Sequence, residues 1–119
     1  MSQMWDTRRV RAAIFHPAAR EAVRSFPEDV RRELGKAIFD LQRGAALGMP
    51  VSRPMPSVAV GAAELRMRDR SGVYRAFYYT SSPRGVLVFH AFAKKTRATH
   101  KQEIALGRKR LKELLHEEI

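Results

Sequence analysis

Cations dominate one stretch of the chain, Glu64 to Thr96, ELRMRDRSGVYRAFYYTSSPRGVLVFHAFAKKT. It carries Arg66, Arg68, Arg70, Arg75, Arg84, Lys94 and Lys95, with His90 and aromatic residues among them. Guanidinium and ammonium groups cannot act as acids or bases near neutral pH, but they neutralise phosphate oxygens and stabilise charge that builds on phosphorus. An imidazole can move a proton near neutrality. Together these groups suit metal-free scission of RNA. The ribose 2′-OH attacks the adjacent phosphate, the 5′ oxygen leaves, and the protein assists the proton transfers and holds the phosphorane charge.

The elements that must hold these residues read as three strands. Runs rich in Val, Tyr, Phe and Leu are broken by turn signals at Asp69-Arg70-Ser71-Gly72 and Ser81-Ser82-Pro83-Arg84-Gly85. Gaps so short predict antiparallel hairpins, because a parallel return needs a crossover of a dozen or more residues. Period-2 alternation puts Arg66 and Arg68 on one face, opposite Leu65 and Met67. It puts Arg75 with Phe77 and Tyr79, and Val86, Val88, His90, Phe92 and Lys94 together. Leu87, Phe89, Ala91 and Ala93 are expected on the core side. An unpaired buried charge is costly, so the cationic face is expected to be open. Tyr79 and Phe92 are its candidate base-stacking residues and Arg70 a candidate backbone contact, whereas alternation turns Lys95, the remaining substrate-binding candidate, to the other face unless the strand ends before it. His90 is open to two readings, a structural strand histidine or the acid or base. His16, His100 and His116 are expected in structural roles at helix ends.

The chain has 119 residues, a net charge of +11, a pI near 11.1 and no cysteine. The length fits one domain spanning residues 1–119. The charge points first to nucleic acid, then to an acidic protein or an anionic membrane. Without cysteine there is no disulfide frame and no thiolate metal site. The N-terminus lacks an apolar run of signal-peptide length and nothing is long enough to span a membrane, so the expected location is the cytoplasm. No phosphate-binding loop, dinucleotide fingerprint or HExxH occurs, and the acids do not suggest the converging carboxylates of a two-metal nuclease. No cofactor or metal is expected.

Around the central strands, Arg8 to Phe15 reads as a first strand. Pro17 opens a short helix that ends near Phe26-Pro27. A second helix follows from about Glu28 to Arg43, with Val30, Leu34, Ala37, Ile38 and Leu41 at helical spacing and Gly44 as its stop. Ala45 to Gly61 reads as an extended connector. A last helix runs from Thr99 or His100 to near Glu117, its stripe made by Ile104, Leu111, Leu114 and Leu115. The simplest packing is an α+β sandwich, with helices on one face of a mostly antiparallel sheet and the cationic face uncovered.

The segments FPEDVRRELGKAIFDLQRG, PMPSVAVGAAELRMRDRSGVYRAFYY and VLVFHAFAKKTRATHKQEIALGRKRLKEL resemble the phage-derived, HigB-like branch of the RelE/ParE toxin superfamily, over about Phe26 to Leu115. The resemblance implies a compact RelE-like fold, with a curved, mainly antiparallel four-stranded sheet, an N-terminal helical hairpin and a C-terminal helix. It implies a toxin of a type II toxin–antitoxin system that cleaves mRNA in the 30S A site of the ribosome without metal. Its implied partner is a HigA-like helix-turn-helix antitoxin. The family's strand cations fall on Arg66 and Arg68, the arginine of its GxYR segment on Arg75, its late basic pair on Lys94 and Lys95, and its HAF histidine on His90. ParE-like members of the superfamily poison gyrase without cutting RNA. A non-catalytic toxin or phage regulator that binds gyrase or nucleic acid is therefore the alternative.

Overall fold

The computed structural model describes residues 10–94 and 100–116. Its centre is an antiparallel meander of β3 (Ala62–Asp69), β4 (Gly72–Ser82) and β5 (Gly85–Lys94), joined by the two short turns the sequence predicts. At the first turn the Asp69 carboxylate accepts hydrogen bonds from the Ser71 amide at 2.8 Å and the Ser71 hydroxyl at 2.6 Å, a local closure typical of Asp in turns.

Two short strands complete a five-stranded sheet in the order β1-β5-β4-β3-β2. β1 (Ala13–Phe15) lies parallel to β5, and β2 (Ser52–Pro54) lies antiparallel to β3. The sheet is therefore mixed, and it has one strand more than the four expected. β2 comes from the segment read as a connector. Three residues between prolines give no usable alternation, and their pairing with β3 supplies what the local sequence does not. β1 is shorter than the expected Arg8–Phe15 strand, whose first two residues lie outside the described ones. Gly85 is required where β1 meets β5: its φ is +143° and an added Cβ would fall 2.3 Å from the Ala12 carbonyl oxygen.

The first helix, α1 (Pro17–Arg24), begins at its proline as expected, with the His16 ring Nδ1 accepting from the Ala18 amide at 3.0 Å. α2 (Glu28–Gln42) has Pro27 at its N-cap position and no side-chain cap; Glu28 and Asp29 in its first turn complement the helix dipole instead. Its stripe of Val30, Leu34, Ala37, Ile38 and Leu41 is buried, with Phe26, against Leu65, Met67, Tyr74, Ala76, Tyr78, Val86, Val88 and Ala91. Each large aliphatic side chain buried in this way contributes roughly 1.5–3 kcal/mol.

The C-terminal helix, α3 (His100–His116), packs on the opposite face of the sheet. Leu111 and Leu114 meet Phe77, Leu87, Phe89, Met55, Val58 and Ala62 there. Gly107 permits the close crossing, since a Cβ at that position would come within 2.8 Å of the Phe77 ring. Helices thus cover both faces of the sheet. The expectation of a wholly uncovered cationic face is corrected: α3 lies over part of it.

A bulge in β5 also revises the expected alternation. Phe77 pairs with His90 while Tyr78 pairs with Val88, which leaves Phe89 as an extra residue. Before the bulge, Val86 and Val88 belong to the α1–α2 side and Leu87 and Phe89 to the α3 side. After it, Ala91 stays on the α1–α2 side and Phe92 on the α3 side. Strict alternation had grouped Val86 and Val88 with His90; one inserted residue reverses that parity.

Candidate nucleic-acid interface

Register across β3, β4 and β5 sets the α3-side residues in rows. Arg68, Val73 and Lys94 form one row, Arg66, Arg75 and Phe92 the next, and Glu64, Phe77 and His90 the third. Strands lie about 4.8 Å apart and successive rows roughly 7 Å apart, so long side chains in adjacent rows can touch. Arg66, Arg68, Arg75, His90, Phe92 and Lys94 therefore share one face, as expected from the sequence.

The first two rows flank an open cleft of about 230 Å³, lined by Arg66, Arg68 and Arg75 with Pro50, Val51 and Val73 among the remaining walls. β2 pairs with β3 only as far as Leu65, and the Arg66 amide then donates to the Val51 carbonyl at 2.8 Å. The segment before β2 thus forms one wall. Met49 and Val51 expose apolar surface at its rim, and Arg66 Nη1 lies 3.7 Å from the Met49 sulfur.

Beside the cleft lies a buried carboxylate. Glu64 is 2% exposed, and its Oε1 accepts from Arg75 Nη1 at 2.8 Å. Arg53 Nη2 lies 3.3 Å from the same oxygen, and Arg66 Nε 3.9 Å. Arg75 is itself buried, so its charge is not simply displayed to solvent. Burial first, and then repulsion from Arg75 and Arg53, pushes the Arg66 guanidinium below its ordinary value, with Glu64 opposing. The Nε atoms of Arg53, Arg66 and Arg75 are all buried without a hydrogen-bond partner.

Under α3 the third row is closed. His90 is 2% exposed, and both its ring nitrogens are engaged by the helix: Nε2 with Glu103 Oε1 at 2.7 Å, and Nδ1 with Arg110 Nη1 at 2.7 Å. A guanidinium can only donate, so Nδ1 is the acceptor and Nε2 carries the hydrogen given to Glu103. His90 is accordingly neutral here. Burial pushes its titration below the ordinary histidine range, Arg110 adding to the shift and Glu103 opposing it.

The other candidates are dispersed. Phe92 is half-buried, its ring centroid 5.6 Å from that of Phe77 and 5.3 Å from that of His90. Tyr79 lies beyond the third row, paired with Ala62 and Leu87 and packed into the α3-side core, away from the cleft. Arg70 is exposed in the β3–β4 turn, and Lys95 falls outside the described residues. Among the described residues no three histidine, aspartate or glutamate side chains are placed to hold a metal ion, and no helix is long and apolar enough to cross a membrane.

Four residues of this arrangement were missed from sequence: Arg53, Glu64, Glu103 and Arg110. Glu64 carried a signal, since alternation sets it on the face of Arg66 and Arg68, an acid among cations. Arg53 sat in the segment dismissed as a connector. Glu103 and Arg110, on the last helix, read as solvated surface.

No curated protein matches the chain. The family model described as phage derived protein Gp49-like (DUF891) matches residues 21–112, from within α1 to near the end of α3, and takes in the cleft and all three rows. The chain therefore belongs to this phage-derived Gp49-like family, a RelE-like toxin-type family.

Proposed function

We propose that this protein is the toxin of a type II toxin–antitoxin pair, HigB-like in kind, and that it cuts mRNA in the ribosomal A site without metal. The observation that carries the reading is the cleft lined by Arg66 and Arg68 of β3 and Arg75 of β4, three cations on one face of the sheet at a site open to solvent. A phosphodiester laid along it meets Arg68 and Lys94 in the outer row and Arg66 and Arg75 in the next. The 2′-OH gives its proton to water as its oxygen bonds to phosphorus, the P–O5′ bond breaks, the 5′ oxygen takes up a proton from water and a 2′,3′-cyclic phosphate remains. The arginines stabilise the additional negative charge on the phosphorane. His90 can take up a proton only when α3 gives up the Arg110 contact, because its one lone pair is used there. The partner in this reading is a HigA-like helix-turn-helix antitoxin, and the setting is the cytoplasm.

One observation favours a second reading, a toxin that grips gyrase or another acidic partner without cutting RNA. Both nitrogens of His90 are held under α3, so no imidazole faces the cleft among the described residues. Expression in growing cells, with mapping of RNA ends, separates the two. Growth arrest with new ends inside translated messages is expected, and the Arg68→Ala, Lys94→Ala double variant should lose both. Arrest with intact messages would transfer the function to the second reading, and growth without arrest would overturn the toxin reading.

A further inference from the structure

Around Glu64 the hydrogen-bond donors outnumber the acceptors. Arg53, Arg66 and Arg75 each lie within 4 Å of one carboxylate oxygen, which leaves a local charge of +2 if each guanidinium counts +1 and the carboxylate −1. All three Nε–H groups are buried and make no hydrogen bond, Arg66 Nε being the atom that lies 3.9 Å from Glu64 Oε1. One carboxylate cannot balance three guanidinium groups, and the Arg53 and Arg66 side chains reach solvent, so the cluster carries uncompensated positive charge that an outside anion can meet. Exposure is graded. The Glu64 side chain is 3% exposed and that of Arg75 7%, whereas those of Arg66 and Arg53 are 28% and 39% exposed. The carboxylate and Arg75 are the buried members of the cluster, and Arg53 and Arg66 its partly exposed ones.

We propose that this cluster is a preset oxyanion site, in which Glu64 is the positioning residue that holds the guanidinium groups and Arg53, from edge strand β2, is a fourth phosphate-binding arginine beside Arg66, Arg68 and Arg75. The inference rests on the phosphodiester-binding reading above and gives it a definite position. A buried carboxylate shared by all three keeps mutually repelling cations together before an anion arrives. An arriving phosphate oxygen supplies the acceptors that Glu64 cannot. The arginines need little rearrangement to bind it, since their positions are already fixed.

The test uses inorganic phosphate and the whole protein. Arginine Nε–Hε signals are followed by NMR during titration with sodium phosphate, against sodium chloride at equal ionic strength. The signals of Arg53, Arg66 and Arg75 should shift saturably with phosphate only. Arg53→Gln should weaken the affinity about tenfold, as for loss of one charge-assisted hydrogen bond. Glu64→Gln removes the resident anion while keeping its shape, so its melting temperature should rise more on adding phosphate than that of the wild type. A residue needed only for folding would not produce that rescue. Equal shifts in chloride and phosphate would overturn the proposal, as would wild-type affinity in Arg53→Gln. If Glu64→Gln does not fold, the wild-type titration and Arg53→Gln still decide. Phosphate binding alongside intact cellular messages would end the nuclease reading and keep the site; cut messages without phosphate binding would do the reverse.

Discussion

The two ends of the α3-side sheet face are built from similar residues and put to opposite uses. At the closed end His90, Glu103 and Arg110 meet under α3, and each imidazole nitrogen has one partner. At the open end Arg53, Arg66 and Arg75 share one carboxylate oxygen, and their three Nε–H groups make no hydrogen bond. Balance permits burial, and the closed end accordingly continues into the core of Phe77, Leu87, Phe89, Leu111 and Leu114. The excess positive charge lies instead where the Arg53 and Arg66 side chains reach solvent and the face opens beside Arg66 and Arg75 into a cleft. A cation on a strand therefore says little by itself; the number of acceptors around it decides its use.

The largest expected effect tests whether the closed end is a true core. Phe77 is 1% exposed and touches the rings of Phe89, His90 and Phe92, with Gly107 of α3 above it. Phe77→Ala should cost about 4 kcal/mol of stability, as large-to-small changes at buried aromatic positions do. Urea unfolding measures it. A loss below about 1 kcal/mol would mean that α3 rests on this face without depending on it.

A smaller effect, set by pH, tests the balance at His90. Its titration is lower in the folded protein than in the unfolded chain, chiefly because the ring is desolvated. The unfolded state then binds the extra proton more readily, so stability rises with pH between the two values. The contribution is complete above the unfolded histidine range, near pH 6.5, and is lost as pH falls through the folded value. The neighbours that face the ring from α3 are Glu103 and Arg110, and His16 adds weak repulsion from the end of β1. Protonation at Nδ1 would turn the Arg110 contact into two opposed donors. Unfolding free energy should therefore drop below about pH 6.5, by up to roughly 1.4 kcal/mol per pH unit, with a matching fall in melting temperature, and the drop should shrink in His90→Gln. An identical pH profile in the variant would show that another group governs the acid limb.

Much of this was legible in the sequence, for reasons that also explain the rest. Turn chemistry at Asp69–Gly72 and Ser81–Gly85 fixed the meander, and helical spacing from Val30 to Leu41 fixed α2. Both signals are local. Alternation placed Arg66, Arg68, Arg75, His90, Phe92 and Lys94 on one face because β3 and β4 keep strict period through them and the β5 bulge lies before His90. The same rule misplaced Val86 and Val88, which precede the bulge. β2 was invisible because Ser52–Pro54 is held by long-range pairing. The cover of α3 over His90 was invisible because Glu103 and Arg110 look like ordinary surface residues until the helix is docked. Pairing across elements distant in the chain, such as His90 with Arg110, has no local signature.

The smallest expected effect on stability belongs to the open end, and it separates function from folding most cleanly. Arg75 is a poor probe, since it is buried against Glu64 and its loss would leave that carboxylate short of its nearest partner. Arg68 is exposed, lines the cleft and makes no ion pair among those in the described residues. Arg68→Ala should leave the urea midpoint within about 0.5 kcal/mol of wild type, the usual range for a surface substitution. It should also weaken binding to single-stranded RNA and flatten its salt dependence by close to one counterion, as loss of one phosphate contact does. Filter binding at several salt concentrations measures both quantities. If Arg68→Ala unfolds the protein, the open end carries structure as the closed end does. If affinity and salt slope both hold, the excess positive charge at the cleft answers to something other than a phosphate backbone.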